Sequence, residues 1–353
     1  MAGVLLFICF VVDIKMGGKS DLGDLYIPGI IALYWVVSIS MVYLNKVLVS
    51  SEDASIPAPM FITWFQCVVT VAICKVLGNL GEDARRNATN SFFTQFPVVE
   101  YSKNLGMQVM PLSIIFVLMI TFNNVCLKYV EVSFYNVARS LSIVFNVGFS
   151  FLVLGKHTTL QTCGTLLVII LGFLVGIDGE VHFNIFGTSC GVIASVFVCL
   201  NSIYTAKILP IVDGDKNRLL FYNNMNAAML FLPMILIFEG GIISDNASKL
   251  TSLFFWGTMT VTGVMGFCIG LVTVMQIKAT SPLTHNISGT AKAAVQSMMA
   301  FYIWQNPATT KGLMGIFCVL GGSGLYTWVQ MAERDASNKK TEAGNESSSK
   351  ATV

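Results

Sequence analysis

The chain has 353 residues, of which 54% are Ala, Val, Ile, Leu, Met, Phe, Trp, Tyr or Cys and only 11% are charged. A soluble surface needs about 25% charged residues, and a mean hydropathy of +0.72 agrees with the shortage, so a water-soluble enzyme is excluded and the solvent is lipid. A formal net charge of +2 gives no reason to expect nucleic acid as a partner.

The opening run Met1 to Val12 is apolar but short, and no basic residue precedes it. It neither spans a bilayer nor makes a good signal peptide; a cleaved signal would invert the topology set out below. Laid against a span of about 20 residues, the chain then gives ten apolar segments. They run 26–49, 57–79, 107–127, 132–152, 160–177, 186–207, 217–238, 251–274, 282–303 and 310–330. Backbone crosses lipid only as closed helices or barrels, so the expected fold is an all-α membrane protein of ten transmembrane helices. The last segment is followed by a tail, 331–353, rich in Ser, Lys, Glu and Asn, which reads as disordered and cytosolic.

Orientation follows from Lys and Arg in the loops. With the N-terminus cytosolic, fifteen of the 21 basic residues lie on the cytosolic side, and only Lys46, Lys128, Lys249 and Lys311 on the other. Both termini are therefore expected in the cytosol. Asn87-Ala-Thr89 would face the cytosol and stay bare, whereas Asn246-Ala-Ser248 would face the lumen.

The chain also divides in two. Laid over one another at an offset of 150, the halves match at Lys128/Lys278, Asn136/Asn286, Phe151/Phe301, Thr159/Thr309 and Gly172/Gly322. Five identities carry little by themselves; the common order of spans, turns and a Gly-rich last span carries more. Five spans per half, an odd number, insert the second half upside down. The expected organisation is a cytosolic segment 1–25, a five-helix repeat 26–177, an inverted five-helix repeat 178–330 and the tail. That is a secondary carrier, with its site between the halves near the midplane.

Two cations mark such a site. Lys292 lies ten residues into the ninth segment, about 15 Å deep in a core of about 30 Å. A charge there costs about 2.5–3.5 kcal/mol on insertion scales, so Lys292 should face a polar cavity. Arg139 stands near the middle of the fourth segment, the inverted counterpart of the ninth. The pair would converge on a substrate anion. Pairing with carboxylates is the alternative, but Asp and Glu occur almost only in loops or at span ends.

The seventh segment opens Phe221-Tyr222-Asn223-Asn224-Met225-Asn226. Tyr222 and Asn226 are one turn apart on one face. Asn presents a donor and an acceptor together and Tyr a stacking plane, which suits a nucleobase; interhelical hydrogen bonding is the alternative for any single Asn. The nine cysteines lie scattered in apolar stretches without a CxxC and read as small buried hydrophobes. The three histidines lack metal-ligand spacing, so neither a metal nor another cofactor is expected. An intramembrane enzyme would need a nucleophile and base, or paired carboxylates, within the spans, and Asp and Glu are absent from their middles. A receptor or scaffold would need neither a repeat nor paired central cations.

Several of these residues match a known family. Phe221-Tyr222-Asn223-Asn224 is identical to the FYNN motif on the seventh span of guanine-nucleotide-sugar transporters. Ser288-Gly289-Thr290-Ala291-Lys292 resembles the GALNK motif of the GDP-mannose carriers, with Lys292 on the motif Lys. Tyr34, eleven residues before Asn45-Lys46, is similar to that family's first span. The stretches Leu127-Lys128-Tyr129-Val130, Phe134-Tyr135-Asn136-Val137 and Ser281-Pro282-Leu283-Thr284-His285-Asn286 look closer to the Golgi GDP-fucose carriers of solute carrier family 35, in the drug/metabolite transporter superfamily. The resemblance runs from about Tyr34 to Trp328.

The resemblance implies an antiporter of the Golgi membrane that exchanges cytosolic GDP-fucose for lumenal GMP. Tyr222, Asn223 and Asn224 would hold guanine, and Lys292, Ser288 and Tyr34 the ribose and diphosphate, with Arg139 added from the charge argument. Thr284 and His285 would face the sugar, since they occupy the region where the mannose carriers have a Tyr eight residues ahead of the motif Lys. His285 could equally make a local hydrogen bond near a helix start. The Trp304-Gln305-Asn306-Pro307 turn lacks the acidic residues associated with fucose carriers. GDP-mannose exchange and sugar-phosphate exchange are the alternatives. The expected partners are the two nucleotides and the bilayer, with a homodimer left open.

Overall fold

The computed structural model describes residues 20–50, 56–87, 92–130, 132–154, 159–179, 184–279 and 310–350, with 288, 289, 292, 293, 295, 296 and 299 besides. Regular structure among the described residues is helical throughout, as lipid requires of a chain that cannot leave N–H and C=O groups open. In chain order the helices are α1 (Ser20–Ser50), α2 (Pro59–Arg86), α3 (Lys103–Tyr129), α4 (Val132–Leu154), α5 (Leu160–Gly179), α6 (Ile185–Ile208), α7 (Lys216–Met234), α8 (Gly240–Asp245), α9 (Leu253–Ala279) and α10 (Thr310–Lys350). Among the described residues seven helical stretches are long and apolar enough to cross a bilayer; the apolar stretches Val137–Phe149 in α4 and Leu160–Gly176 in α5 are shorter. Most of the expected segment 282–303 lies outside the described residues, and those it does contain are helical.

Two boundaries differ from the sequence expectation. The seventh segment does not stop at 238: a π-helical turn, Ile235–Glu239, joins α7 to α8 and carries the helical path to Asp245. Pro233 explains the irregularity, because its ring crowds the carbonyl one turn back and its nitrogen donates no hydrogen bond. The last helix, α10, continues to Lys350 where a disordered tail is expected. Its extension begins Met331-Ala332-Glu333-Arg334, all good helix formers.

The chain forms two compact units. Unit 1 comprises Met1–Val130 and Asn184–Ser281; unit 2 comprises Glu131–Phe183 and Pro282–Val353. Within unit 1, α2 packs on α7 and α9, α3 on α6 and α7, and α1 on α9. Its largest buried cluster contains Ile30, Leu33, Tyr34, Val37, Phe221 and Tyr222. The entry to α7 is a tight reversal, with Asp213 and Gly214 both at positive φ. Asp215 then caps the helix by accepting from the N–H groups of Asn217 and Arg218 at 2.8 and 3.1 Å.

Within unit 2, α5 lies along α10 with the two backbones in contact. A Cβ placed on Gly315 would lie 2.6 Å from Gly176 Cα, one on Gly172 2.7 Å from the Val319 nitrogen, and one on Gly322 2.9 Å from Ile169 Cγ1. Small residues permit such approach where no hydrophobic force drives helices together. Among the described residues six cysteines are buried as expected, Cys318 is partly buried, and Cys163 departs by facing outward; Cys9 lies outside the described residues.

Candidate functional site

The Tyr-Asn motif lies on the first turns of α7 in unit 1, and its members do different work. Tyr222 is buried; its hydroxyl donates to the Glu100 carbonyl at 2.7 Å and accepts from the Ser102 N–H at 3.0 Å. Its ring lies 5.6 Å from that of Tyr101. One turn on, Asn226 donates to the Gly106 carbonyl at 2.8 Å and accepts from the Tyr101 hydroxyl at 2.9 Å. Tyr222 and Asn226 thus fasten α7 to the segment that opens α3. Asn224 donates back to the Leu220 carbonyl at 2.8 Å.

Asn223 is different. Its Oδ1 is buried and has no hydrogen-bond partner among the described residues. A buried carbonyl left open costs free energy, so this acceptor is fit for a ligand's donor. Tyr34 is buried in the same cluster as Tyr222, which brings two of the expected binding residues into one packed body.

Of the residues expected at the ribose and diphosphate, Tyr34 lies in unit 1, whereas Ser288, Lys292 and Arg139 lie in unit 2. Ser288 and Lys292 are both buried, at 6% exposure, one turn apart on one helix face. The same face continues to Gln296, 1% exposed. Arg139 in α4 lies near enough for its charge to act on Lys292, and its Nη1 donates to the Tyr135 hydroxyl at 3.2 Å. Two like charges held near each other favour an anion between them. Thr284 and His285 lie outside the described residues.

Sequence reasoning overlooked Gln296, which a count of four beyond Lys292 would have found. It also overlooked Tyr101, whose link to Asn226 spans 125 residues and leaves no local signal. Metal-binding clusters of His, Cys, Asp and Glu do not occur among the described residues.

Residues 25–327 match the Triose-phosphate Transporter family. The chain belongs to this family. The matched range takes in Tyr34, Arg139, Tyr222, Asn223, Asn224, Thr284, His285, Ser288 and Lys292. Individual relatives show how far the likeness extends. The chain is 46% identical over 313 residues to "GDP-fucose transporter 1" of Nematostella vectensis, covering 87% of this chain and 90% of that one. It is 45% identical over 329 residues to "GDP-fucose transporter 1" of Mus musculus, covering 90% and 88%. With "GDP-fucose transporter, Golgi" of Drosophila melanogaster it shares 38% over 311 residues, covering 86% and 90%. The resemblance read from the motifs is borne out over nearly the whole chain.

Proposed function

We propose that the protein is a nucleotide-sugar antiporter of the Golgi membrane, importing GDP-fucose in exchange for GMP. The observation that carries this is the 46% identity over 87% of the chain to a protein named for GDP-fucose transport, joined by the unengaged acceptor on Asn223. Guanine has donors on its pairing edge, and a buried carbonyl without a partner is what those donors require. In this reading Tyr222, Asn223 and Asn224 hold the base, with Asn223 the direct contact and Tyr222 holding α7 in place. Lys292, Ser288, Tyr34 and Arg139 hold the ribose and diphosphate. Thr284 and His285 face the fucose.

The packing supports the ten-span, inverted-repeat organisation. Exchanging each span for the one five places away turns the α2–α9 contact into the α7–α3 contact, and the α3–α6 contact into the α9–α1 contact; all four are present. Each unit also draws helices from both halves of the sequence. The excess of basic residues in one set of loops supports cytosolic termini.

The family's description favours a second reading, exchange of a sugar phosphate for phosphate. One experiment separates the two. Purified protein in liposomes loaded either with GMP or with phosphate is offered labelled GDP-fucose, GDP-mannose, UDP-sugars and triose phosphate. Fastest uptake of GDP-fucose, dependent on internal GMP, is expected. Uptake of triose phosphate against internal phosphate, with none of GDP-sugars, would overturn the proposal.

A further inference from the structure

Helix α2 lacks a cap of its own. Its N-cap residue is Ala58, which has no side-chain acceptor, and Pro59 follows at the first helical position. Proline carries no N–H, so the first donors needing a partner are those of Met60 and Phe61. Both donate to one carboxylate: Met60 to Glu239 Oε1 at 2.9 Å and Phe61 to Glu239 Oε2 at 2.8 Å. Glu239 comes from the far end of the α7 path, 4% exposed. A negative charge suits a helix N-terminus, and the Lys128 ammonium is within electrostatic reach.

The π-turn is what aims Glu239. In a continuous α-helix, positions 231, 235 and 239 drift about 40° per step around the axis. The wider turn at Ile235–Glu239 removes that drift, so Glu239 stays on the buried face with Phe231 and Ile235, while Leu236, Ile237 and Phe238 face outward. The same device recurs in unit 2. The Thr159 hydroxyl caps α5 by accepting from the Thr162 N–H at 3.2 Å. Glu333 of α10 then accepts from the hydroxyls of both threonines, and Gln330 donates to Glu333 and Thr162. In each unit a carboxylate late in one helix closes over the start of its antiparallel neighbour.

We propose that Glu239 is a positioning residue for exchange: it ties α7 to α2, so that the two helices and the nucleotide motif on α7 move as one body. Asn223 lies sixteen residues from Glu239, about 24 Å along the helical path. Tyr222 and Asn226 tie the motif end to the segment that opens α3, so Glu239 supplies the tie at the opposite end of the path. Native Cys67 reports on the pinned interface, being buried on α2 among Ala227, Phe231 and Ile235.

The proposal rests on the carrier reading, and its test separates the two. Three proteins are purified and compared with the wild type: Glu239→Gln, Ala58→Ser, and the double variant. The hydroxyl introduced by Ala58→Ser offers α2 a local cap without any link to α7. For Glu239→Gln the expected results are exchange at least tenfold slower, GMP Kd within threefold of wild type, and maleimide alkylation of Cys67 at least tenfold faster by mass spectrometry. The double variant should regain thermal stability but neither the exchange rate nor the slow Cys67 alkylation, while Ala58→Ser alone behaves as wild type. Recovery of exchange in the double variant would mean Glu239 is only a helix cap and would overturn the proposal. So would failure of the double variant to fold. Cys67 alkylation needs no substrate, so it decides the α2–α7 tie even where wild-type protein exchanges no guanine nucleotide, a result that would sink the carrier reading alone.

Discussion

Replacing Asn223 with Ala separates binding from folding. The wild-type Oδ1 is buried without a partner among the described residues, so the folded protein already bears a desolvation cost that the substitution removes. Losing a small side chain's packing offsets that gain, and folding stability should stay within about 1 kcal/mol of wild type. Binding should not be spared. Guanine donors that lose their acceptor in a buried site cost about 1–3 kcal/mol, or about 5- to 150-fold in Kd at 1.4 kcal/mol per tenfold. Calorimetric titration of GMP into the purified variant, beside thermal unfolding without ligand, measures both quantities. UMP, which should bind neither protein well, is the control for the base. A fall in melting temperature with an unchanged GMP Kd would refute the reasoning, because it would show the amide serving the fold and the base lying elsewhere.

Lys292→Ala should nearly abolish uptake of every nucleotide sugar at normal protein level, because the diphosphate would be buried without its counter-ion; Arg139→Ala should act in the same direction less completely, and liposome uptake assays check both. Tyr222→Phe should destabilise the protein by about 1–3 kcal/mol, since it strips a partner from the Ser102 N–H and the Glu100 carbonyl, as thermal unfolding would register. Gly315→Ala should cost about 2 kcal/mol or more, because its Cβ would meet the Gly176 backbone at 2.6 Å. Gly321→Ala, whose Cβ meets nothing within 4 Å, should leave unfolding unchanged and serves as the matched control.

Most spans were legible because each is a local property: a run of apolar residues as long as the bilayer is thick. What escaped depends on contacts far along the chain. Glu239 looks like a loop carboxylate because hydropathy falls just after Phe238, and nothing nearby hints at Met60, 179 residues away. The Tyr-Asn motif was legible as a group but not in its division of labour. Tyr222 and Asn226 have the same composition of donors and acceptors as any buried pair, and only the position of Glu100, Tyr101 and Gly106 reveals that theirs are committed. The Gly-rich ends of the two halves were visible in sequence, and Gly172 and Gly322, matched at the offset of 150, both sit where α5 and α10 touch.

That backbone contact limits how unit 2 can deform. Packed helices usually slide by letting interlocked side chains change rotamer, each small shift absorbed by a new set of torsions. Where Gly172, Gly176 and Gly315 bring main chain against main chain, and Gly322 lies against the Ile169 and Val168 side chains, there are few torsions to re-sort. Shear along the α5–α10 contact is therefore restricted. The two helices are expected to travel together as a single strut, displaced or tilted in common rather than slid past each other.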